Sequence, residues 1–292
     1  MELRVLRYFL IVAREENITK AAMLLHLTQP TLSRQLRQLE EELGIKLFHR
    51  TSHHIVLTEE GMLFRRRAQE ILELTEKTKA EFSADAGNLA GKIVIGCGET
   101  YNMRILADWM AALQRLHPMV TFQVQSATAD VVLERLEKGL LDLGLLMEPV
   151  DIRKYEILRM PLKERWGILV RKDAAICQKD KVYPEDLQHL PLLMPGRLSV
   201  QNNLQRWFGP LYDHIYLAAT YNLMLNAVFM VEKGIGAAVC YEFDQFFPDL
   251  RFIPLEGMPP AGAVLVWKKQ QLFSKTVRSF LDICRKARLQ EK

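Results

Sequence analysis

Residues 28–44, "TQPTLSRQLRQLEEELG", decide how the first third of the chain is read. Leu32, Leu36, Leu39 and Leu43 return at steps of four, three and four, so they form one apolar stripe of an α-helix. Thr28 stands in front as an N-cap, Pro30 falls in the first turn where a missing N–H costs nothing, and Gly44 stops the helix. With the leucines in the core, the helical wheel turns Pro30, Thr31, Arg34, Arg37 and Gln38 to solvent, and Gln29 and Ser33 flank the N-terminal end. Arginine reads guanine bidentately, glutamine reads adenine, and serine or threonine binds phosphate or base edges. Glu40, Glu41 and Glu42 lie farther along, where such a helix would leave a DNA groove. A solvated face on a small helical bundle has the same composition, so this helix alone does not separate the two readings.

The flanking segments do separate them. Leu3, Leu6, Phe9, Leu10 and Ala13 mark one face of a helix ending near Glu16, and Thr19 is the expected cap of a second helix running to about His26. Leu27 then anchors the turn. Helix, tight turn, helix is the arrangement whose second helix enters the major groove N-terminus first. "KLFHRTSHHIVLT" (46–58) has apolar ends around a polar turn and reads as a hairpin, the wing of a winged helix. It offers Arg50 for phosphate and His53 beside it; the adjacent His53 and His54 read as an exposed tip, since no carboxylate or cysteine joins them at metal-ligand spacing. From Thr58, a cap followed by Glu59 and Glu60, a long helix should run to about Phe82. Phe64, Ala68, Ile71, Thr75, Thr78 and Phe82 alternate steps of four and three, a heptad-like seam for a second copy, with packing on its own domain as the alternative. "SADAGNLAGK" (83–92) follows as a hinge.

The run "AAMLLHLTQPTLSRQLRQLEEELGIKLFHRTSHHIVLTEEG" (21–61) resembles the N-terminal domain of LysR-type transcriptional regulators in its order of A-A, T-Q-P, S-R-Q, L-E-x-x-L-G, L-F-x-R and L-T-x-x-G. The resemblance covers residues 1–90 and implies a bacterial regulator that forms a homodimer through its linker helices, often a homotetramer. It implies pseudo-palindromic double-stranded promoter DNA as partner, with RNA polymerase as a further candidate.

Beyond the hinge, "GKIVIGCG", "VTFQVQS" and "LDLGLLM" read as strands alternating with helices, and the pattern recurs from "RWGILVR" to "IGAAVCY". Alternation of this kind predicts α/β lobes built on parallel sheets covered on both faces. The expected fold is therefore an N-terminal winged helix-turn-helix (1–58), a linker helix and hinge (59–91), and a two-lobed effector domain (92–292). Lobe I takes about 92–161 and 267–292, and lobe II about 162–266. In LysR-type regulators that domain resembles periplasmic solute-binding proteins and senses a small molecule. Ligands of open α/β sheets bind beyond strand carboxyl ends, often at helix N-termini. That rule selects Gly98, Glu99, Thr100, Ser126, Thr128 and Met147 in the first lobe, and Arg197, Ser199 and Asn222 in the second. Thr100 and Thr128 fall where the resemblance implies hydroxyls for an effector carboxylate, with plain helix capping as the alternative. Glu99 suits such a ligand poorly; Arg197, a cationic effector group or a hydroxyl are its candidate partners.

The totals exclude several classes. Net charge is +4 with pI near 8.8, and the first ninety residues hold as many acids as lysines and arginines, so nucleic-acid binding has to rest on local arrangement. Cys97, Cys177, Cys240 and Cys284 show no metal-type or redox-type spacing, which fits a reducing cytoplasm. No run approaches membrane-spanning length and no cofactor or metal is expected. An enzyme would need a nucleophile elbow, a phosphate-cradling Gly-Lys-Ser motif or a zinc signature, and none is present. A thiol redox sensor using Cys97 or Cys177 is the other alternative, and an enzyme with an accessory DNA-binding domain the remaining one.

Overall fold

The computed structural model describes residues 1–50, 55–82, 89–242 and 247–290, and divides into two compact units, Met1–Ala84 and Asp85–Lys292. His53 lies outside the described residues, as does the Arg50 side chain. No helix among the described residues is long and apolar enough to cross a membrane.

The first unit runs α1 (Leu3–Glu15), α2 (Ile18–Leu24), α3 (Gln29–Leu43), β1 (Phe48–Arg50), β2 (Ile55–Leu57) and α4 (Glu59–Phe82). Leu32, Leu36 and Leu39 are buried in one cluster with Leu6, Phe9, Val12, Ala21 and Leu47, as their spacing requires. Three local expectations change. Asn17, not Thr19, caps α2: its Oδ1 accepts from the Thr19 and Lys20 N–H groups at 3.0 and 2.9 Å. The helix ends at Leu24 rather than His26, which has φ +54° and cannot continue a right-handed helix. Thr28 precedes α3 with extended backbone, but its hydroxyl bonds the Thr31 hydroxyl at 2.8 Å instead of an N–H.

Glu40 is the larger correction. It is 3% exposed, and its Oε1 accepts from the Leu47 and Phe48 N–H groups at 2.9 and 3.2 Å. Of the three acids, this one is turned inward to hold the first wing strand to α3. The wing itself is an antiparallel pair with Phe48 opposite Leu57 and Arg50 opposite Ile55. Thr58 then starts α4: its hydroxyl donates to the Lys46 carbonyl at 2.7 Å and accepts from the Gly61 N–H at 2.9 Å. Gly61 fits because a Cβ there would stand 2.1 Å from the Leu47 carbonyl oxygen. On α4, Phe64, Ala68 and Ile71 belong to the first unit's own core, and the Thr75 and Thr78 hydroxyls donate back to the Ile71 and Leu74 carbonyls. The apolar half of the expected pairing seam is therefore used within the domain, the alternative weighed from sequence.

The second unit contains β3 (Gly91–Cys97), α5 (Asn102–Leu116), β4 (Val120–Ser126), α6 (Ala129–Glu137), β5 (Leu143–Met147), β6 (Tyr155–Glu164), β7 (Trp166–Arg171), β8 (Pro191–Pro195), α7 (Leu198–Phe208), β9 (Tyr216–Tyr221), α8 (Met224–Glu232), β10 (Ala237–Tyr241), β11 (Leu250–Pro254), β12 (Ala261–Lys268) and α9 (Lys275–Gln290). Two five-stranded sheets form, β4-β3-β5-β12-β6 and β11-β7-β10-β8-β9. Each is mixed rather than parallel: β3 runs parallel to β4 and β5, β12 antiparallel to β5 and β6, and the second sheet divides likewise between β8 and β7. Crossovers through helices build the parallel half, and strands that leave for or return from the other lobe build the antiparallel half.

Both faces of each sheet are covered. Ile93 and Ile95 face a cluster with α5 and α9, while Val94 faces Val132 and Leu136 of α6. The return crossing is also earlier than expected, since β12 sits inside the first sheet and lobe II ends before Ala261 rather than at 266. Likewise β6 carries lobe I past 161 to Glu164. The apolar run of β12 announces a central strand, but not the sheet that receives it.

Candidate functional site

On the first unit, α3 presents a polar edge. Gln29, Pro30, Arg34, Arg37 and Gln38 are exposed, and Thr31 and Ser33 are half-buried beside them. Among the described residues, neither Arg34 nor Arg37 has a hydrogen-bond or ion-pair partner, so both guanidinium forks remain available. Gln38 accepts from Gln35 at 3.3 Å. The edge starts at the helix N-terminus, where partial positive charge favours phosphate.

In the second unit, the cleft between the two sheets holds adjoining cavities of about 230 and 540 Å³, which share Glu99, Pro195, Tyr221, Asn222 and Tyr241 in their walls. Gly98, Thr128, Met147 and Arg197 line the larger cavity and Thr100 the smaller, so seven of the nine residues selected from sequence meet here. Ser126 ends the edge strand β4 and is exposed. Ser199 lies in the first turn of α7 off the cavity walls, its hydroxyl buried without a partner among the described residues.

Among the described residues, the side chains of Glu99 and Arg197 clasp the lobes. The Glu99 carboxylate accepts from the Met224 N–H, the first helical residue of α8 in the opposite lobe. Arg197, at the start of α7, donates to the Pro149 carbonyl at 2.9 Å and reaches Asp130 at 3.4 Å. Glu99 and Arg197 are thus not each other's partners; each crosses the cleft separately. A carboxylate at a helix N-terminus meets unpaired N–H groups and the positive end of the dipole, which explains why Glu99 settles there.

Thr100 is committed to structure. Its hydroxyl donates to Glu164, which also accepts from the Tyr101 N–H at 3.0 Å and the Asn102 side-chain amide at 3.1 Å. Asn102 is fully buried and bonds both polar groups of Leu162 at 3.2 Å, so this cluster fixes the start of α5 to the end of β6. Burial pushes the Glu164 carboxyl upward, opposed by the bonds from Thr100 and Asn102. Sequence reasoning missed Glu164, Trp166, Tyr221 and Tyr241. The strand-end rule already pointed to the two tyrosines, which close β9 and β10. Glu164 and Trp166 sit at the lobe crossing, which has no local sequence signal.

The cysteines speak against redox sensing. All four are buried, and burial pushes the Cys97 thiol up to about 12, so the reactive thiolate is scarce at neutral pH. Lys179 pairs with Asp186 at 2.6 Å rather than serving Cys177.

Known proteins repeat this combination. Residues 3–62 match the family described as "Bacterial regulatory helix-turn-helix protein, lysR family", and residues 86–288 match "LysR substrate binding domain". The HTH-type transcriptional regulator BsdA of Bacillus subtilis (strain 168) is 38% identical over 97% of this chain and 100% of its own. The Hca operon transcriptional activator HcaR of Escherichia coli (strain K12) is 26% identical over 97% of each. The crystal structure of full-length CbnR complexed with target DNA covers 98% of this chain and 100% of that one at TM-score 0.79 and 23% identity, a likeness of fold. With both family segments matched end to end by a relative of this identity, the chain belongs to the LysR family of helix-turn-helix DNA-binding transcriptional regulators, with a C-terminal effector-binding domain.

Proposed function

We propose that the chain binds its promoter as a homodimer or a dimer of dimers, with the exposed edge of α3 in the major groove. Arg34 and Arg37 then read base edges, Thr28, Gln29, Pro30, Thr31, Ser33 and Gln38 shape the contact, and Arg50 and His53 of the wing meet the backbone. The observation that carries this reading is the pair of exposed guanidinium groups on α3, both without a partner among the described residues. A small molecule in the cleft, bordered by Glu99, Thr128, Met147, Arg197 and Asn222, shifts the balance between two lobe arrangements and so changes the spacing of the DNA-binding domains. Such a ligand has to prefer one arrangement, because equal affinity for both shifts nothing. The protein acts by binding rather than catalysis, in the cytoplasm, and reaches RNA polymerase through the promoter it occupies.

Footprinting the purified protein on DNA upstream of its own gene tests this. The expected result is a protected region of two half-sites about 10 bp apart or a multiple of it, as two recognition helices on one face of the duplex require. Protection of one isolated half-site, or none above non-specific DNA, would remove the reading.

A further inference from the structure

The two cavities of the cleft differ in charge. Arg197 lines the larger one. Among the described residues, no lysine or arginine lines the smaller one, which carries Glu99, Glu164 and Glu242 together with Trp166, Tyr221 and Tyr241. Glu242 is neutralised by Arg165, with bonds of 2.6 and 2.9 Å. Glu164 is not: it is 4% exposed, and the Thr100, Tyr101 and Asn102 groups bonded to it are all uncharged and fall on Oε1. Buried carboxylates are ordinarily paired or counter-charged, and this one faces a cavity. Beside it, Trp166 and Tyr241 pack with ring centroids 4.1 Å apart, and the Tyr241 hydroxyl is buried with no hydrogen-bond partner among the described residues. Ring faces attract cations, and an ammonium brings N–H donors for both an unpaired carboxylate oxygen and an orphan hydroxyl.

We infer that the smaller cavity takes an organic cation, an alkyl- or arylammonium group, in contact with Glu164 and the Trp166 and Tyr241 rings. The inference rests on the reading of the cleft as the effector site and names the chemistry it selects. A carboxylate in the same place would face Glu164 and Glu99 with no lysine or arginine among the described residues lining the cavity. An anionic group is directed instead to the Arg197 cavity.

Three probes of one shape and different charge decide the matter: benzylamine, benzyl alcohol and benzoate. Each is titrated into the full-length protein while the emission change that disappears in Trp166→Phe is followed, because Trp166 lines only the smaller cavity. Benzylamine should bind about tenfold tighter than the alcohol, and benzoate more weakly than either. Glu164→Gln should bring the amine down to the alcohol's affinity. The ranking in the unmodified protein stands even if that buried variant fails to fold. Equal or tighter binding of benzoate or the alcohol at Trp166, or no binding of any probe, would overturn the inference. Footprints taken with each probe keep the two readings apart. Benzoate that alters the footprint and also produces the Trp166 signal at equal or lower concentration than the amine would retain the sensor and remove the cation, whereas an amine that binds without altering any footprint would retain the cation and remove the sensor.

Discussion

Glu40 shows how one carboxylate connects the DNA-reading helix to the wing. It is buried and serves two strand N–H groups, so Glu40→Ala should orphan both and cost about 1 to 3 kcal/mol, read as a lowered denaturation midpoint. Glu40→Gln keeps an acceptor and should recover much of the loss; equal losses in the two variants would contradict this role. Glu164 gives a pH signature. Its carboxyl is raised in the folded state, so between the ordinary carboxylate range and the raised value the native protein holds a proton that the unfolded chain has released, and above that window the carboxylate is charged. Its contribution to stability is therefore present at low pH and declines as pH rises from the ordinary carboxylate range through the raised value. The stability of Glu164→Gln relative to the unmodified protein should accordingly grow with pH, measured by denaturant melts on either side of that window. A difference that stays flat or shrinks would count against it.

Periodicity located every helix of the first unit, because an amphipathic stripe such as Leu32–Leu36–Leu39 has one way to be buried. Caps were less legible. Asn17 and Thr19 are both plausible caps by type, and only backbone direction chooses between them. The role of Gly61 was invisible in its motif until the Leu47 carbonyl stood over it. Gly61→Ala should displace the start of α4 and destabilise the unit by about 1 to 3 kcal/mol, whereas Thr58→Ala, losing a cap, should cost about 1 kcal/mol. A calorimetric scan of both variants checks the order. Arg50 on the wing acts differently: Arg50→Ala should weaken binding on every DNA sequence alike and flatten the salt dependence by about one unit of slope. A loss confined to particular sequences would reassign it to base reading.

Across the whole chain, strand and helix alternation exposed the two-lobed plan, and the strand-end rule brought most of the cleft together. The mixed sheets and the true lobe crossing stayed hidden, because an apolar strand such as β12 looks the same in either sheet. The pairing of Glu99 with the Met224 N–H was equally hidden, since it joins residues far apart in sequence through backbone. That bond ties the lobes together. Glu99→Gln, which weakens it, should speed hydrogen exchange in the first turn of α8 by about tenfold, while unchanged exchange would show that the lobes are held elsewhere.

The most direct test of the account is a titration of the protected promoter fragment, at fixed salt, with the unmodified protein and with Arg34→Ala. The account predicts a loss of about 1 to 3 kcal/mol in affinity, together with relaxed discrimination at a single base pair in each half-site. Unchanged affinity and unchanged discrimination would contradict it, because the exposed edge of α3 would then not be the surface that reads DNA.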